Sequence, residues 1–271
     1  MKTITAIMML FLSFALCAAA SAEKKQEGGD IDRSLERIKA KATIVIGLDD
    51  AFPPMGFREK GSNEIIGFDI DLARKAAERL GLTIVPKTVR WSRIIPALNS
   101  GDVDVIWNGL SIAPERQQQM IFSKPYLENR QTIVVKSGSK IRRKIDLAGK
   151  KVGHQFGSSS ERALRADPKT VNTLTEISAY PDNQRALDDL AAGRIDAVVM
   201  DEVAARYVIS RKEGVFVMLA DNFGREYYGV GFRKGDAAFR DAIDRVLEEM
   251  KKDGTADAIA KKWFGEKTIV K

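Results

Sequence analysis

Leu98-Asn99-Ser100-Gly101-Asp102-Val103-Asp104 is followed, 92 residues later, by Leu190-Ala191-Ala192-Gly193-Arg194-Ile195-Asp196. Both read Leu-x-x-Gly-x-x-Asp: the end of a helix, a glycine that caps it, and the entry to a strand. A pattern repeated at one offset implies two related α/β halves, each with a loop at the same end of its sheet. In the first half, Val103 to Trp107 is a β-branched apolar run that reads as a buried parallel strand.

Outward from that strand runs Trp107-Asn108-Gly109-Leu110-Ser111-Ile112-Ala113-Pro114-Glu115-Arg116, where Pro114 suits the first turn of a helix. Ligands of open α/β sheets sit where strands end and helices begin. Gly109 lets backbone approach a ligand, Ser111 offers a hydroxyl, and Arg116 offers a guanidinium fork for a carboxylate. Standing alone, such an arginine is more often a solvated surface residue. The second copy changes that reading, because at the same offset Asn108 and Gly109 fall on Met200 and Asp201. One loop carries a cation and the other an anion, which suits a zwitterion: Arg116 for its carboxylate, Asp201 for its ammonium. Asp201 also stands where it can cap the helix Glu202 to Arg211, one oxygen capping while the other faces the cleft.

Further motifs surround this pair: Gly67-Phe68-Asp69-Ile70-Asp71-Leu72, Ile94-Ile95-Pro96-Ala97-Leu98, Phe122-Ser123-Lys124-Pro125-Tyr126 and Lys262-Trp263-Phe264-Gly265. With Ser111 to Arg116, they make the chain from about Thr43 to Gly265 resemble the extracytoplasmic solute-binding proteins of polar amino-acid ABC transporters (family 3). Ala113 departs from the family's usual threonine. The resemblance implies an α/β fold of two Rossmann-like lobes joined by two crossing segments, the type II periplasmic binding protein arrangement. It implies that Asp49 and Phe52 contact the ligand side chain, that Trp91 faces Phe52 across it, and that Gln155 and Ser159 reach the ligand from the second lobe. With Asn108, Gly109, Ser111, Arg116 and Asp201 these complete the candidate site. By residue type alone Phe52 would pass for core packing, and the serines ahead of a helix for caps. Asp69 is expected to cap or brace its helix.

The expected organisation is a signal peptide over residues 1–22, a linker and short leading helix over 23–40, a first lobe of 41–128 plus 227–271, and a second lobe of 129–226. Ile4 to Leu16 is too short to span a bilayer, and Ala20-Ser21-Ala22 is a small-x-small cleavage site. Lipoprotein anchoring at Cys17 is disfavoured by Leu16 before it. Cleavage would make the protein periplasmic and remove its only cysteine. Gln131 to Lys136 reads as the first crossing between lobes, Tyr227 to Arg233 as the return, and Glu64 to Phe68 as a strand or hairpin arm. The net charge of +7 is scattered with no basic stripe interleaved with aromatics, which argues against nucleic-acid binding. His154, the single histidine, reads as a structural strand residue with no metal partner in sequence; no metal or cofactor is expected.

The favoured function is capture of a free polar L-amino acid by a monomer, with arginine or lysine suggested by Asp49, Asp69 and Trp91, or glutamine by Gln155 and Asn108. A membrane permease is implied by the resemblance. The competing class is a periplasmic enzyme on the same scaffold, similar to cyclohexadienyl dehydratase, for which Asp49 is the one obvious acid or base.

Overall fold

Both copies of the repeated pattern fold into the same corner. The computed structural model describes residues 32–265; the expected signal peptide, Cys17 and most of the linker lie outside the described residues. Helices Ile94–Asn99 and Asn183–Ala191 stop before Gly101 and Gly193, whose φ angles of +81° and +72° lie in the left-handed region. The aspartate that closes each pattern then ties the incoming strand to its neighbour: Asp104 Oδ2 accepts the Val45 amide at 2.7 Å, and Asp196 Oδ2 accepts the Lys151 amide at 2.8 Å.

The strands are β1 (Thr43–Leu48), β2 (Ala51–Phe52), β3 (Gly56–Arg58), β4 (Ile65–Ile66), β5 (Thr83–Thr88), β6 (Val105–Ile106), β7 (Ile121–Phe122), β8 (Leu127–Lys136), β9 (Lys151–Gln155), β10 (Glu176–Tyr180), β11 (Ala197–Asp201), β12 (Phe216–Tyr228) and β13 (Gly231–Phe232). One sheet runs β5-β1-β6-β13-β7, the other β10-β9-β11-β8-β12, with a small antiparallel sheet β2-β3-β4 beside the first. In each large sheet a parallel trio leads: β1 pairs with β5 and β6, and β9 with β10 and β11. Loops after β1, β6, β9 and β11 therefore converge at the carboxyl ends of their strands, where the two lobes face each other.

Two expectations are corrected. Gln131 to Lys136 is not a crossing but the body of β8, a ten-residue strand paired antiparallel with both β11 and β12. Its apolar run has buried residues on both faces, as a central strand requires. The crossings lie together at its start instead: Ser123 to Tyr126 leads into β8 and Gly229-Val230 leads out of β12, side by side, with the Val230 amide donating to Ser123 Oγ at 2.8 Å. Likewise the strand expected over Glu64 to Phe68 contracts to Ile65–Ile66, and Phe68 opens the helix Phe68–Arg79. Gly67 makes that switch at φ +148°, where an added Cβ would stand 2.2 Å from the Met55 carbonyl oxygen.

The remaining helices close the cores. Leu72, Ala73, Ala76 and Ala77 form the buried stripe of Phe68–Arg79. The leading helix Ser34–Lys41 and the C-terminal helices Ala237–Lys252 and Thr255–Phe264 pack on the first lobe, where Trp263 Nε1 donates to Asp71 Oδ2 at 2.8 Å. In the second lobe Ile133, Val135, Leu147, Val152, Leu164, Ala197 and Val199 make a separate core. No described helix is long and apolar enough to cross a membrane.

Candidate functional site

Where the strand ends converge, the lobes meet around a small cleft lined by Asp49, Phe52, Trp91, Asn108, Gly109, Ser111, Gln155, Ser158, Ser159 and Asp201. Nine of these ten were expected from sequence; Ser158 was not singled out. Its hydroxyl does cap the helix Ser159–Arg165, accepting from the Glu161 amide at 3.3 Å, while it lines the cavity. Arg116, the tenth expected residue, stands behind Ser111.

Arg116 is 7% exposed. Its Nη1 donates to the Ser111 carbonyl at 3.0 Å and to Ser159 Oγ at 3.2 Å, and its guanidinium lies 5.7 Å from the centre of the Trp91 ring. It forms no salt bridge among the described residues. Burial, reinforced by the nearby Arg162 charge, lowers its pKa, so an incoming anion meets a cation that water does not already satisfy.

Across the cavity Asp201 is equally buried. Its Oδ1 accepts from Tyr228 Oη at 2.6 Å, Asn129 Nδ2 at 2.7 Å and Gln131 Nε2 at 2.8 Å. Burial first, and the neighbouring Glu226 carboxylate second, raise its pKa above the usual carboxylate range. The expected cap is not made by Asp201: its side chain makes no capping bond, and Asn129 Oδ1 takes the Val203 amide at 3.4 Å instead. Asn129 on β8 fills the capping role while its Nδ2 holds Asp201 Oδ1. Asn129, Gln131, Glu226 and Tyr228 went unnoticed in the sequence; their only signal is polar residues two apart on β8 and β12, which share a strand face.

At the third side, Asp49 Oδ1 accepts the Ala51 amide at 3.0 Å and Oδ2 accepts Gln155 Nε2 at 2.6 Å. Burial raises its pKa against those bonds. Asn108 braces this loop by accepting the Asp49 amide at 3.0 Å, and its Nδ2 is left without a partner. Asp69 braces the opposite loop rather than capping its helix: its Oδ2 accepts the Gly109 amide at 2.6 Å, and burial pushes its pKa up to about 7. Gly109 itself holds φ +56°, and an added Cβ would stand 2.6 Å from Phe52 Cε1. Gly109→Ala is therefore expected to cost about 2 kcal/mol of stability from left-handed strain and overpacking. Urea denaturation measures it, and an unchanged midpoint would show that the Phe52 ring yields freely.

The lobes meet across the cavity through Ser159 Oγ to Ser111 Oγ at 2.8 Å, Gln155 to Asp49, and Arg162 Nε to Glu115 Oε1 at 3.0 Å. Two α/β lobes closed over a small polar cavity, one supplying a buried cation and the other a buried anion, define a bilobed ligand-binding protein of the type II periplasmic binding protein fold. The chain belongs to the bacterial extracellular solute-binding proteins, family 3, whose sequence pattern matches residues 44–266. It is 32% identical over 260 residues to the L-cystine-binding protein TcyJ of Escherichia coli, covering 95% of this chain and 94% of that one. A histidine-bound ABC substrate-binding protein of Streptococcus pneumoniae superposes with a TM-score of 0.85 at 33% identity, over 89% of this chain and 99% of that one. An ancestral amino-acid-binding protein described as a precursor of cyclohexadienyl dehydratase superposes with a TM-score of 0.78 at 35% identity, over 85% and 99%.

Proposed function

We propose that the protein captures a free polar L-amino acid in the periplasm and delivers it, as a monomer, to the permease of an ABC importer. The observation that carries this reading is the buried guanidinium of Arg116 on one lobe opposite the buried Asp201 carboxylate on the other. A carboxylate held by Arg116 and Ser111 and an ammonium held by Asp201 bind both lobes at once. Contacts split this way exist only in the closed form, and that differential affinity is what drives closure. The lobe division of 41–128 plus 227–271 against 129–226 and export by a signal over 1–22 belong to the same proposal.

The side-chain end holds the Asp49 carboxylate, the free Asn108 Nδ2 and the faces of Phe52 and Trp91, which suits arginine, lysine or glutamine. A longer, double-headed ligand is the second reading. A larger outer pocket shares Asp49 and Trp91 with the inner cleft and runs out past Arg90, Phe156 and Asp182, and the similar E. coli protein is named for L-cystine. Capture without turnover is favoured over dehydratase chemistry because both Asp49 oxygens are already held by Ala51 and Gln155. Calorimetric titration of refolded protein with arginine, lysine, ornithine, glutamine, histidine and cystine tests the proposal. One tight, equimolar ligand is expected; no heat from any of them, or conversion of prephenate, would sink it.

A further inference from the structure

Sheet register places a second carboxylate behind the one that faces the cavity. Along β11, β8 and β12, Asp201 stands opposite Gln131, and Asn129 stands opposite Glu226. Gln131 Nε2 donates to Asp201 Oδ1 at 2.8 Å and to Glu226 Oε1 at 2.7 Å; Asn129 Nδ2 donates to the same two oxygens, each at 2.7 Å. Asp201 is 7% exposed and the Glu226 side chain 8%, and the two side-chain amides bridge their carboxyl groups.

The surrounding charges do not neutralise both. From β12, Tyr228 donates a neutral hydroxyl to Asp201. From the helix Ser159–Arg165, Arg162 Nη2 is 3.4 Å from Glu226 Oε2, but the same guanidinium is drawn to Glu115 at 3.0 Å. Arg116 on the helix Pro114–Gln117 feels both carboxylates favourably yet pairs with neither. Two carboxylates in one poorly hydrated site do not both ionise without a cation of their own.

We propose that Asp201, bridged to the Glu226 carboxylate by Asn129 and Gln131, keeps a proton in the free protein and releases it to water when an ammonium group arrives, so that Glu226 is a positioning residue coupling capture to pH. The O–H bond of the Asp201 acid breaks, its proton passes to solvent, and the ammonium keeps its three protons while its charge balances the carboxylate left behind. Burial and the Glu226 charge both raise the Asp201 pKa, in agreement with a retained proton. The protonated form of Asp201 binds ammonium poorly, so affinity falls by about tenfold for each pH unit below the Asp201 titration. This proposal rests on the amino-acid reading above, and its test separates the two.

The first arm needs no ligand: carbon NMR of the side-chain carboxyls in the free protein, compared with Glu226→Gln, whose amide keeps hydrogen-bonding partners in place. An Asp201 carboxyl that titrates toward neutrality, and returns toward the ordinary carboxylate range in Glu226→Gln, is expected. The second arm titrates L-arginine and L-cystine calorimetrically at about pH 6 in phosphate and in bis-tris, whose ionisation heats differ. About one proton released per bound amino acid in the wild type, little in Glu226→Gln, and a flattened pH profile in that variant are the supporting results. Equal proton release in both proteins, or an Asp201 carboxyl that titrates in the ordinary range, overturns the proposal. A raised carboxyl with no heat from either amino acid overturns the release step through failure of the amino-acid reading, and is told apart from failure of the pair by the first arm.

Discussion

Arg116→Ala is expected to weaken amino-acid binding by at least about thirtyfold while leaving the fold as stable as the wild type, or slightly more so. The two halves of that result have one cause. Arg116 is buried, its Nη1 satisfied only by a carbonyl and a hydroxyl, and no carboxylate of the described residues pairs with it. Holding a guanidinium there costs desolvation that the protein alone does not recover. A ligand carboxylate recovers it, and truncating one partner of a buried charge pair typically costs about 2–5 kcal/mol, or roughly thirty- to several-thousandfold. Arg116→Lys keeps a charge but loses the planar fork and the stacking on Trp91, so it should fall between the two. Calorimetry gives the affinities and thermal melting the stabilities. Binding by Arg116→Ala within threefold of wild type would place the carboxylate elsewhere.

What the sequence discloses about this molecule, and what it hides, divides along backbone and register. The two Leu-x-x-Gly-x-x-Asp corners are legible because each needs a glycine at positive φ and an aspartate to receive a strand amide, and the structure uses both pairs that way. Arg116 and Asp201 are legible because the repeat sets them on opposing loops. The Asn129–Glu226 and Gln131–Asp201 pairs are not, since polar residues two apart on a strand do not show which face they share or with whom until the β11-β8-β12 register is known. The crossing was misplaced onto Gln131 to Lys136 for a related reason: an apolar run shows that a segment is buried, not which of two cores buries it. Asp69 was recognised as a brace but not as the acceptor for the Gly109 amide, a contact between residues 40 positions apart that no local pattern encodes.

Asp201→Asn should show the same opposition between stability and binding from the anionic side, with a pH dependence that Arg116→Ala lacks. An asparagine carbonyl can accept from Tyr228, Asn129 and Gln131 as Asp201 Oδ1 does, so the network around β8 and β12 survives. The charge does not survive, and a ligand ammonium then loses its buried counter-ion, for an expected loss of about a hundredfold or more. Stability moves the other way. The folded-state pKa of Asp201 is raised above its unfolded value, so between about pH 4 and neutrality the folded protein holds more protons than the unfolded chain. Wild-type stability therefore declines as pH rises through that window, by at most about 1.4 kcal/mol per pH unit for one group. Asn at this position mimics the protonated acid at every pH, which removes the decline. The variant should melt close to wild type near pH 4 and above it near pH 8, while binding least well of the two at every pH above the window. Melting curves that stay parallel across the range would mean that Asp201 ionises in the free protein without cost, and the cleft would then hold a ready anion rather than one that an arriving ammonium completes.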